Sequence, residues 1–423
     1  MELGQIRKLH TGRDFASFGS APYVLHCHHF NLWWDQCVSD IFADDPAKGF
    51  RLRAEAARWA FKPIIEEACS AGAATTQLDK LQIAADIFSQ MGHGIIRPAG
   101  QSGGGDATGE FLHYGFAWML KYGERCRCEE KMDAVATGFL AAIHEVVFGE
   151  HAWAEEKCCV AQRQEHCSFE VSVGKDPGLS DDYRIGIGPV TASDYERLTP
   201  AMECGKNDEA IDAIAEGLRT FLAPLRGDDR GLISGFGILA TMHSPSYYNR
   251  VCFDSIRHCE RERPQLVSTA ERLFREGGQA CVYHTLGGVM RSPEWEALVG
   301  IPSGDPEETL THAMAICRAF GFGRWVVHEF DPGKRFVMRS AANYETPGYI
   351  MAYGESDRPR GLFAQGAAQG LMMLAYGYDW ANRPDITREG YLGLCKAGVG
   401  WNVKQTKCPT MGDDTLEIVV TKD

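Results

Sequence analysis

A dense group of possible metal ligands lies between residues 156 and 167. Glu156, Cys159 and Cys167 are separated by three and eight positions, and the polar run 162–165 between the cysteines predicts a hairpin turn. Such a turn would bring both sulfurs to one ion, and Zn²⁺ favours a tetrahedron of thiolate, imidazole and carboxylate ligands. Asp133, at the head of the preceding predicted helix, is the natural fourth ligand. The alternative is that the cysteines are buried core residues and Glu156 is a solvated strand residue, and spacing alone leaves both open.

Histidines form the second candidate group. His26, His28 and His29 lie close to Trp34, and imidazoles there could bind a metal, transfer a proton or contact a ligand. The alternative is a helix whose histidines are satisfied by backbone or water. His93 lies in a Gly-His-Gly turn, where flanking glycines would let the backbone approach a ligand. We therefore treat these four histidines as candidate catalytic residues.

The glycine-rich segment 101–110 predicts a loop that leads into a helix over 111–121. It could hold an anion or close over a ligand as a lid, and the alternative is a flexible connector. Candidate ligand-binding residues near these segments are Trp34, Arg97, His113 and Trp118, although Trp118 fits a core position better than a pocket wall. The sequence contains no P-loop, dinucleotide fingerprint, Gly-x-Ser-x-Gly, His-Glu-x-x-His or Cys-x-x-Cys motif. No nucleotide cofactor is expected.

The segment that contains the candidate metal ligands resembles the 4-vinyl-reductase (hydrocarbon-binding) domain family. This family includes the ligand-sensing domains of phenol- and xylene-responsive transcription activators. The resemblance lies in Gly138-Phe139-Leu140 followed by Glu156-x-x-Cys159-x7-Cys167-x-Phe169. It implies one zinc ion per chain near a ligand pocket, held in the sensing members by a Cys, a Glu and two more Cys. The Glu and the last two Cys of the sensing members correspond to Glu156, Cys159 and Cys167. Their first Cys corresponds to Asp133. Other residues that could replace Asp133 are Cys126, Cys128, Cys158 and His166.

Four collinear matches indicate an internal repeat. They pair 26–31 with 243–249, 87–94 with 316–323, 119–123 with 373–377, and 133–140 with 385–392. We predict an α+β protein of two tandem helix-rich copies, 12–174 and 231–423, each closing with a short antiparallel β-hairpin. The copies are expected to pack as an intramolecular pseudo-dimer, with 175–230 as a helical connector.

Periodicity places the elements that position these residues. Apolar spacing predicts helices over 50–61, 76–88, 134–147 and 209–218, and alternation predicts strands over 153–157, 167–173 and 416–420. In the second copy Asp385 and Cys408 are assigned to the ligand positions, but Gln405 replaces the Glu and Leu416 the last Cys. A metal is therefore expected only in the first copy.

Composition restricts the partners. The 423 residues include 43 basic and 57 acidic ones, giving a net charge of −14 without a Lys/Arg-rich stripe, which argues against nucleic acid or an anionic membrane as partner. The sequence shows neither a signal peptide nor a membrane-spanning run, so we expect a cytoplasmic protein whose fifteen cysteines are mostly reduced. A homodimer is possible.

Two functions remain open. One is a zinc-containing protein that binds a small, largely apolar or aromatic molecule in the first copy and transforms it or hands it on. The other is a non-catalytic sensor module whose output lies in a separate protein, because no ATPase or DNA-binding motif is present.

Overall fold

The computed structural model describes residues 3–10, 12–123, 128–183, 187–199, 204–398 and 400–422. It is an α+β structure with three antiparallel sheets. Below, residues 12–174 are called the first half, 175–230 the connector and 231–423 the second half.

The strands are short and lie between groups of helices. They are β1 (Arg7–His10), β2 (Phe15–Phe18), β3 (Ala21–Cys27), β4 (Ile95–Arg97), β5 (Gly104–Glu110), β6 (Ala152–Cys158), β7 (Cys167–Val173), β8 (Ile233–Gly235), β9 (Ile238–His243), β10 (Gly323–Asp331), β11 (Arg335–Asn343), β12 (Trp401–Lys407) and β13 (Leu416–Lys422).

The helices supply most of the core. They are α1 (His28–Ile41), α2 (Pro46–Ala71), α3 (Gln77–Gln90), α4 (His113–Tyr122), α5 (Ala134–Phe148), α6 (Ala192–Leu198), α7 (Asp208–Leu222), α8 (Pro245–Glu262), α9 (Val267–Cys281), α10 (Gly287–Arg291), α11 (Pro293–Leu298), α12 (Pro306–Ala319), α13 (Glu345–Tyr353), α14 (Leu362–Met372) and α15 (Arg388–Ala397). Two π-helical turns, Val282–Leu286 and Met373–Gly377, continue α9 and α14.

The central sheet joins the two halves. Its strand order is β1-β2-β3-β9-β8, and β3 pairs antiparallel with β9 in the register Val24↔His243 to Cys27↔Ala240. Two further backbone bonds cross between the halves. The Leu25 N–H donates to the Phe320 carbonyl (2.9 Å), and the Met242 N–H donates to the Met91 carbonyl (2.8 Å). Each central strand therefore ends inside the opposite half.

Each half also has a four-stranded sheet of its own. The orders are β4-β5-β7-β6 and β10-β11-β13-β12. The predicted terminal hairpins are confirmed as the pairs β6/β7 and β12/β13, although each is part of a larger sheet.

The glycine-rich segment is not a loop or a lid, and that prediction was wrong. Residues 104–110 form β5, which pairs with β4 and β7. Gly104 has φ +97°, and a Cβ there would lie 2.2 Å from the Val171 carbonyl oxygen. A residue without a side chain can approach the neighbouring strand this closely, so Gly104 serves sheet packing.

The predicted connector helix is confirmed as α7. It packs against α12 through buried charges: the Arg318 guanidinium, fully buried, lies 2.6 Å from carboxylate oxygens of both Asp208 and Asp212. Arg324 bonds Asp208, Asp212 and the buried Asp14 of the first half. Because these buried charges compensate one another, the connector is held rigidly against both halves.

No helix in the described part of the chain is long and apolar enough to cross a membrane.

Helices α2 and α5 approach closely at Gly138, where a Cβ would lie 2.0 Å from the Ala54 carbonyl oxygen. The same contact recurs between α9 and α14, where a Cβ on Gly366 would lie 1.7 Å from the Arg275 oxygen. Gly366, and not Gly390, therefore makes the contact that Gly138 makes. The match of 133–140 with 385–392 was wrong.

This contact gives the first prediction. Gly138→Ala should lower the free energy of unfolding by about 1–3 kcal/mol, because the added methyl group meets backbone that cannot rotate away. The control is Gly217→Ala on α7, where a Cβ meets only Leu298 at 3.4 Å. Urea denaturation should show that this variant is unchanged or stabilised by up to about 1 kcal/mol, as helix propensity requires. Equal effects of both variants would contradict the packing argument.

Candidate metal centre and buried histidine core

Two carboxylate and two thiol side chains converge at one end of the first-half sheet. Asp133 is the N-cap of α5, Glu156 lies on β6, Cys159 follows β6 and Cys167 begins β7. One ligand atom from each lies within 4.8 Å of the others, and all four residues are buried. The hairpin brings both cysteines together as the spacing predicted, so this group could hold a metal ion.

Hydrogen bonds hold the ligand atoms in place. The Asp133 N–H donates to Glu156 Oε2 (3.0 Å), and the Gly115 N–H donates to Asp133 Oδ1 (3.1 Å). Both thiols lie close to Asp133 Oδ2, Cys159 at 3.5 Å and Cys167 at 3.3 Å. Among the described residues, Glu156 Oε1 is buried without a hydrogen-bond partner. Two thiolates and two carboxylates suit a tetrahedral Zn²⁺ ion, and the unpartnered oxygen is explained by such a ligand.

The four groups resist carrying negative charge together. Burial raises the pKa of Asp133, and burial with the neighbouring Asp133 charge raises that of Glu156 well above its usual range. The hydrogen bond with Cys167, burial and the Asp133 charge raise the pKa of Cys159. A divalent cation would remove this conflict, because it stabilises the deprotonated form of each ligand.

The alternative fourth ligands are placed elsewhere. Cys128 is buried against Met132, Cys158 is half-buried and His166 is exposed. Cys126 lies outside the described residues.

The second half lacks a matching group among the described residues. Cys408 is buried and accepts from the Arg360 N–H (3.4 Å), and Gln405 Oε1 accepts from the Gly361 N–H (3.2 Å). Gly361 thus occupies the place of Asp133. The assignment of Asp385 to this place was wrong, because its side chain is 85% exposed and pairs with Arg291.

A second buried polar group lies in the core of the first half. His93 follows α3, His113 begins α4, and His243 ends β9 of the second half; all three are at most 1% exposed. The His93 ring centroid lies 6.5 Å from that of His113 and 5.1 Å from that of His243. The surrounding rings are phenylalanines and tyrosines: Phe61 and Phe88 contact His93, Tyr114 contacts His113, and Tyr247 and Tyr248 contact His243. The structure thus brings together two of the predicted residues and adds one from the other half.

Hydrogen bonds determine which imidazole nitrogens carry hydrogen. His93 Nε2–H donates to the Met242 carbonyl (3.1 Å), so Nδ1 is left as an acceptor. Asn31 Nδ2 donates to His113 Nε2 (3.0 Å), so His113 Nδ1 carries the hydrogen. The Asn31 amide orientation follows from the Tyr248 hydroxyl, which donates to Asn31 Oδ1 (2.6 Å). Neither free Nδ1 has a partner among the described residues. The core therefore offers an unused acceptor at His93 and an unused donor at His113, beside a third buried nitrogen without a partner among the described residues, His243 Nδ1.

Burial keeps these imidazoles neutral. It lowers the pKa of His93 to about 4 and the pKa values of His113 and His243 well below their usual range. Near neutral pH they are therefore uncharged and act as hydrogen-bonding groups. The glycines beside His93 serve packing: a Cβ on Gly92 would lie 2.8 Å from the Ala240 oxygen.

His26 makes the reciprocal contact in the second half. It is fully buried, its ring lies 4.8 Å from Phe322 and 5.8 Å from Phe363, and its Nδ1 lies 3.5 Å from Cys281 Sγ. Each half thus receives one histidine from the central strand of the other. The sequence match of His26 with His243 was the signal for this exchange, but the exchange itself was not predicted.

The remaining predicted residues are dispersed. His28 and His29 pack against His284 of the second half, and the buried Trp34 contacts Phe274 there (4.7 Å). Trp118 is half-buried against Tyr122 on α4. Arg97 is 62% exposed and pairs with Glu110, so it does not reach the histidine core. The ligand-binding residues expected around one pocket do not all share one site.

Two cavities are relevant to ligand binding. An open groove of about 530 Å³ runs beside the metal group, lined by residues that include Phe50, Arg53, Lys131 and Trp153. A small apolar cavity of about 20 Å³, roughly the space of one water molecule, lies in the second half and is lined in part by Phe322. None of the predicted ligand-binding residues lines either one.

Comparisons with known proteins give one partial similarity. No protein-family model matches the chain. No curated protein matches it. A solved structure, the phenol-responsive sensory domain of the transcription activator PoxR with phenol, is similar over 42% of this chain and 90% of that chain, at 13% identity and a TM-score of 0.35. A similarity of this extent supports no statement about fold or ligand.

The metal group gives the second prediction. The purified protein should contain about one zinc per chain, and Cys159→Ala or Cys167→Ala should remove it and lower the unfolding temperature, because metal-binding energy is folding energy. Cys408→Ala, the control in the second half, should keep its zinc. Elemental analysis measures the zinc content of each variant, and thermal unfolding measures its stability. Two tightly bound zinc ions per chain, or zinc lost on substitution of Cys408, would contradict this assignment.

The buried imidazoles give the third prediction. The pKa of His93 falls from 6.5 unfolded to about 4 folded, so its stabilisation is fully present above pH 6.5 and is lost as pH falls towards 4. The free energy of unfolding should therefore decrease over this window, by on the order of 3 kcal/mol for this residue alone. Urea denaturation between pH 4 and 7 should show a shallower dependence for His93→Phe than for the wild type. An unchanged slope would show that His93 is not buried in its neutral form.

Proposed function

We propose that the chain is a zinc-containing protein that binds a small, largely apolar or aromatic molecule carrying one hydroxyl group in the first-half core. The observation that carries the proposal is the pair of unused hydrogen-bonding nitrogens, the acceptor His93 Nδ1 and the donor His113 Nδ1–H, among phenylalanine rings. A hydroxyl group both donates and accepts, so it matches the chemistry of an acceptor nitrogen and of a donor nitrogen. An unsatisfied buried polar atom costs about 1–3 kcal/mol, which a ligand of this kind would recover.

The same geometry favours binding over catalysis. The three imidazoles are neutral near pH 7, and Asp133, Glu156, Cys159 and Cys167 would give zinc four protein ligands without an open position. When bound, zinc would supply structural stabilisation to the first half. We therefore favour a protein that holds its ligand and hands it on, or a sensor whose output lies elsewhere, over one that transforms the ligand.

We further propose that the two halves are copies of one domain packed as an intramolecular pseudo-dimer. Support comes from the matching sheet orders, the matching glycine contacts of Gly138 and Gly366, and the reciprocal placement of His26 and His243. The first copy would span 12–174 and the second 231–423, with 175–230 as the packed connector. In this arrangement only the first copy retains the metal ligands.

Single-ring aromatic probes test the proposed ligand site, and they give the fourth prediction. Phenol should bind saturably and more tightly than toluene, which has no hydroxyl group. His93→Phe should weaken phenol binding by about tenfold or more, equal to ~1.4 kcal/mol, and leave toluene and the zinc content unaffected. Calorimetric titration measures the affinity of each variant for phenol and for toluene.

Two control variants isolate the imidazole. His328→Phe, at an exposed position, should bind phenol as the wild type does. Phe322→Ala should reduce stability more than phenol binding, because Phe322 packs in the second half. Equal affinity for phenol and toluene, no binding of either, or full phenol affinity in His93→Phe would refute the proposed site.

A further inference from the structure

A small cavity lies in the second half, apart from the metal group and from the histidine core. It measures about 20 Å³ and lies between the π-helical turn Val282–Leu286, helices α12 and α14, and strands β10 and β11. Nine of its eleven lining side chains are buried, whereas Cys317 and Ala367 are half-buried. The cavity is therefore enclosed, and these two residues mark the side on which it lies nearest to solvent.

The wall of this cavity, called the second-half cavity below, is almost entirely apolar. Its lining side chains carry three polar groups, the thiols of Cys281 and Cys317 and the indole N–H of Trp325. The indole N–H donates to the Phe322 carbonyl (3.1 Å), and Cys281 Sγ contacts Thr285 Oγ1 (3.5 Å). A buried water needs about two to four polar partners, which these groups do not supply. The cavity should therefore exclude water.

Phe322, which lines the second-half cavity, corresponds in the sequence match to His93 of the first half. The Phe322 ring lies 4.8 Å from the His26 ring, and the His93 ring lies 5.1 Å from the His243 ring. Phenylalanine offers no hydrogen bond in place of the imidazole. His26 and Tyr344 have buried polar atoms without a partner among the described residues, but neither residue lines the cavity. The second-half cavity thus lacks the polar groups of the first-half core.

Sulfur-containing side chains make the second-half cavity adaptable. Met314 and Met338 line it and are buried. Methionine is unbranched and flexible, so its side chain adjusts to the shape of a guest molecule. A space of about one water molecule that can widen in this way suits a molecule of about two heavy atoms. Such a molecule gains contacts with the wall without having to displace ordered water.

We propose that the second-half cavity binds a molecule of about two heavy atoms without polar groups, such as a short alkane or alkene. A polar molecule of the same size would lose its hydrogen bonds to water and find no partner in the wall. The two halves then bind different classes of molecule. This contrast rests on the proposed phenol-type site in the first half, whereas the second-half cavity and its lining do not depend on that site.

The test uses the full chain labelled with ¹³C at the methionine methyl groups, which places a reporter on Met314 and on Met338. It is titrated with ethane under pressure and with methanol, which has the same number of heavy atoms but carries a hydroxyl group. Ethane should shift the signals of both residues saturably, and methanol should not. Signals are assigned with Met314→Leu and Met338→Leu. Met290, which is fully buried but does not line the cavity, is the internal control and should not shift.

Two changes of volume decide whether ethane occupies this cavity. Ala367→Leu should fill it and weaken ethane binding by about tenfold or more, whereas Ala85→Leu, at a half-buried position on α3, should bind as the wild type does. Leu371→Ala should enlarge it, so that benzene shifts the two methionine signals in this variant but not in the wild type. His93→Phe should bind ethane normally, which separates this site from the phenol-type site. No saturable shift with ethane, an equal shift with methanol, or unchanged ethane affinity in Ala367→Leu would overturn the proposal.

Discussion

The antiparallel pairing of β3 with β9 is the interaction on which the other features depend. This pairing fixes the register Val24↔His243, and it places the end of each central strand in the opposite half. His243 is thereby part of the first-half core and His26 part of the second. A slip of one residue in this register would turn both imidazoles to the other face of the sheet. The histidine core, the stacked cluster at His284 and the packing of α1 all require this one alignment.

Local sequence signals predicted much of the fold. Helical periodicity over 134–147 and strand alternation over 167–173 were sufficient for α5 and β7, because α5 is a long apolar segment and β7 alternates buried with more exposed residues. The prediction of a loop over 104–110 was wrong because its glycines were taken as a sign of a loop. At Gly104 the backbone instead lies against β7 at a distance that excludes a Cβ atom. Whether glycine marks a turn or a close contact depends on partners distant in sequence.

The candidate metal group was predicted more completely than the buried histidine group. Three of its four members lie within one hairpin, so chain geometry alone brings them together, and Asp133 follows from the helix that packs on that hairpin. The histidine core takes His93, His113 and His243 from three elements and both halves. Nothing in local spacing relates these positions. The match of 133–140 with 385–392 misled for a similar reason, because the glycine that packs against α9 lies in α14 and resembles Gly138 only in its contacts.

The exchange of strands has a consequence for how the molecule unfolds. Because each half completes the core of the other, separating them would leave two apolar interiors open and remove the hydrogen bonds of Leu25 and Met242. The halves should therefore unfold in one cooperative transition. In this respect they would behave like the two subunits of an obligate dimer, although they belong to one chain. In one cooperative transition, any stabilisation that arises in the first half, including that from a metal bound by Asp133, Glu156, Cys159 and Cys167, would also stabilise the second half.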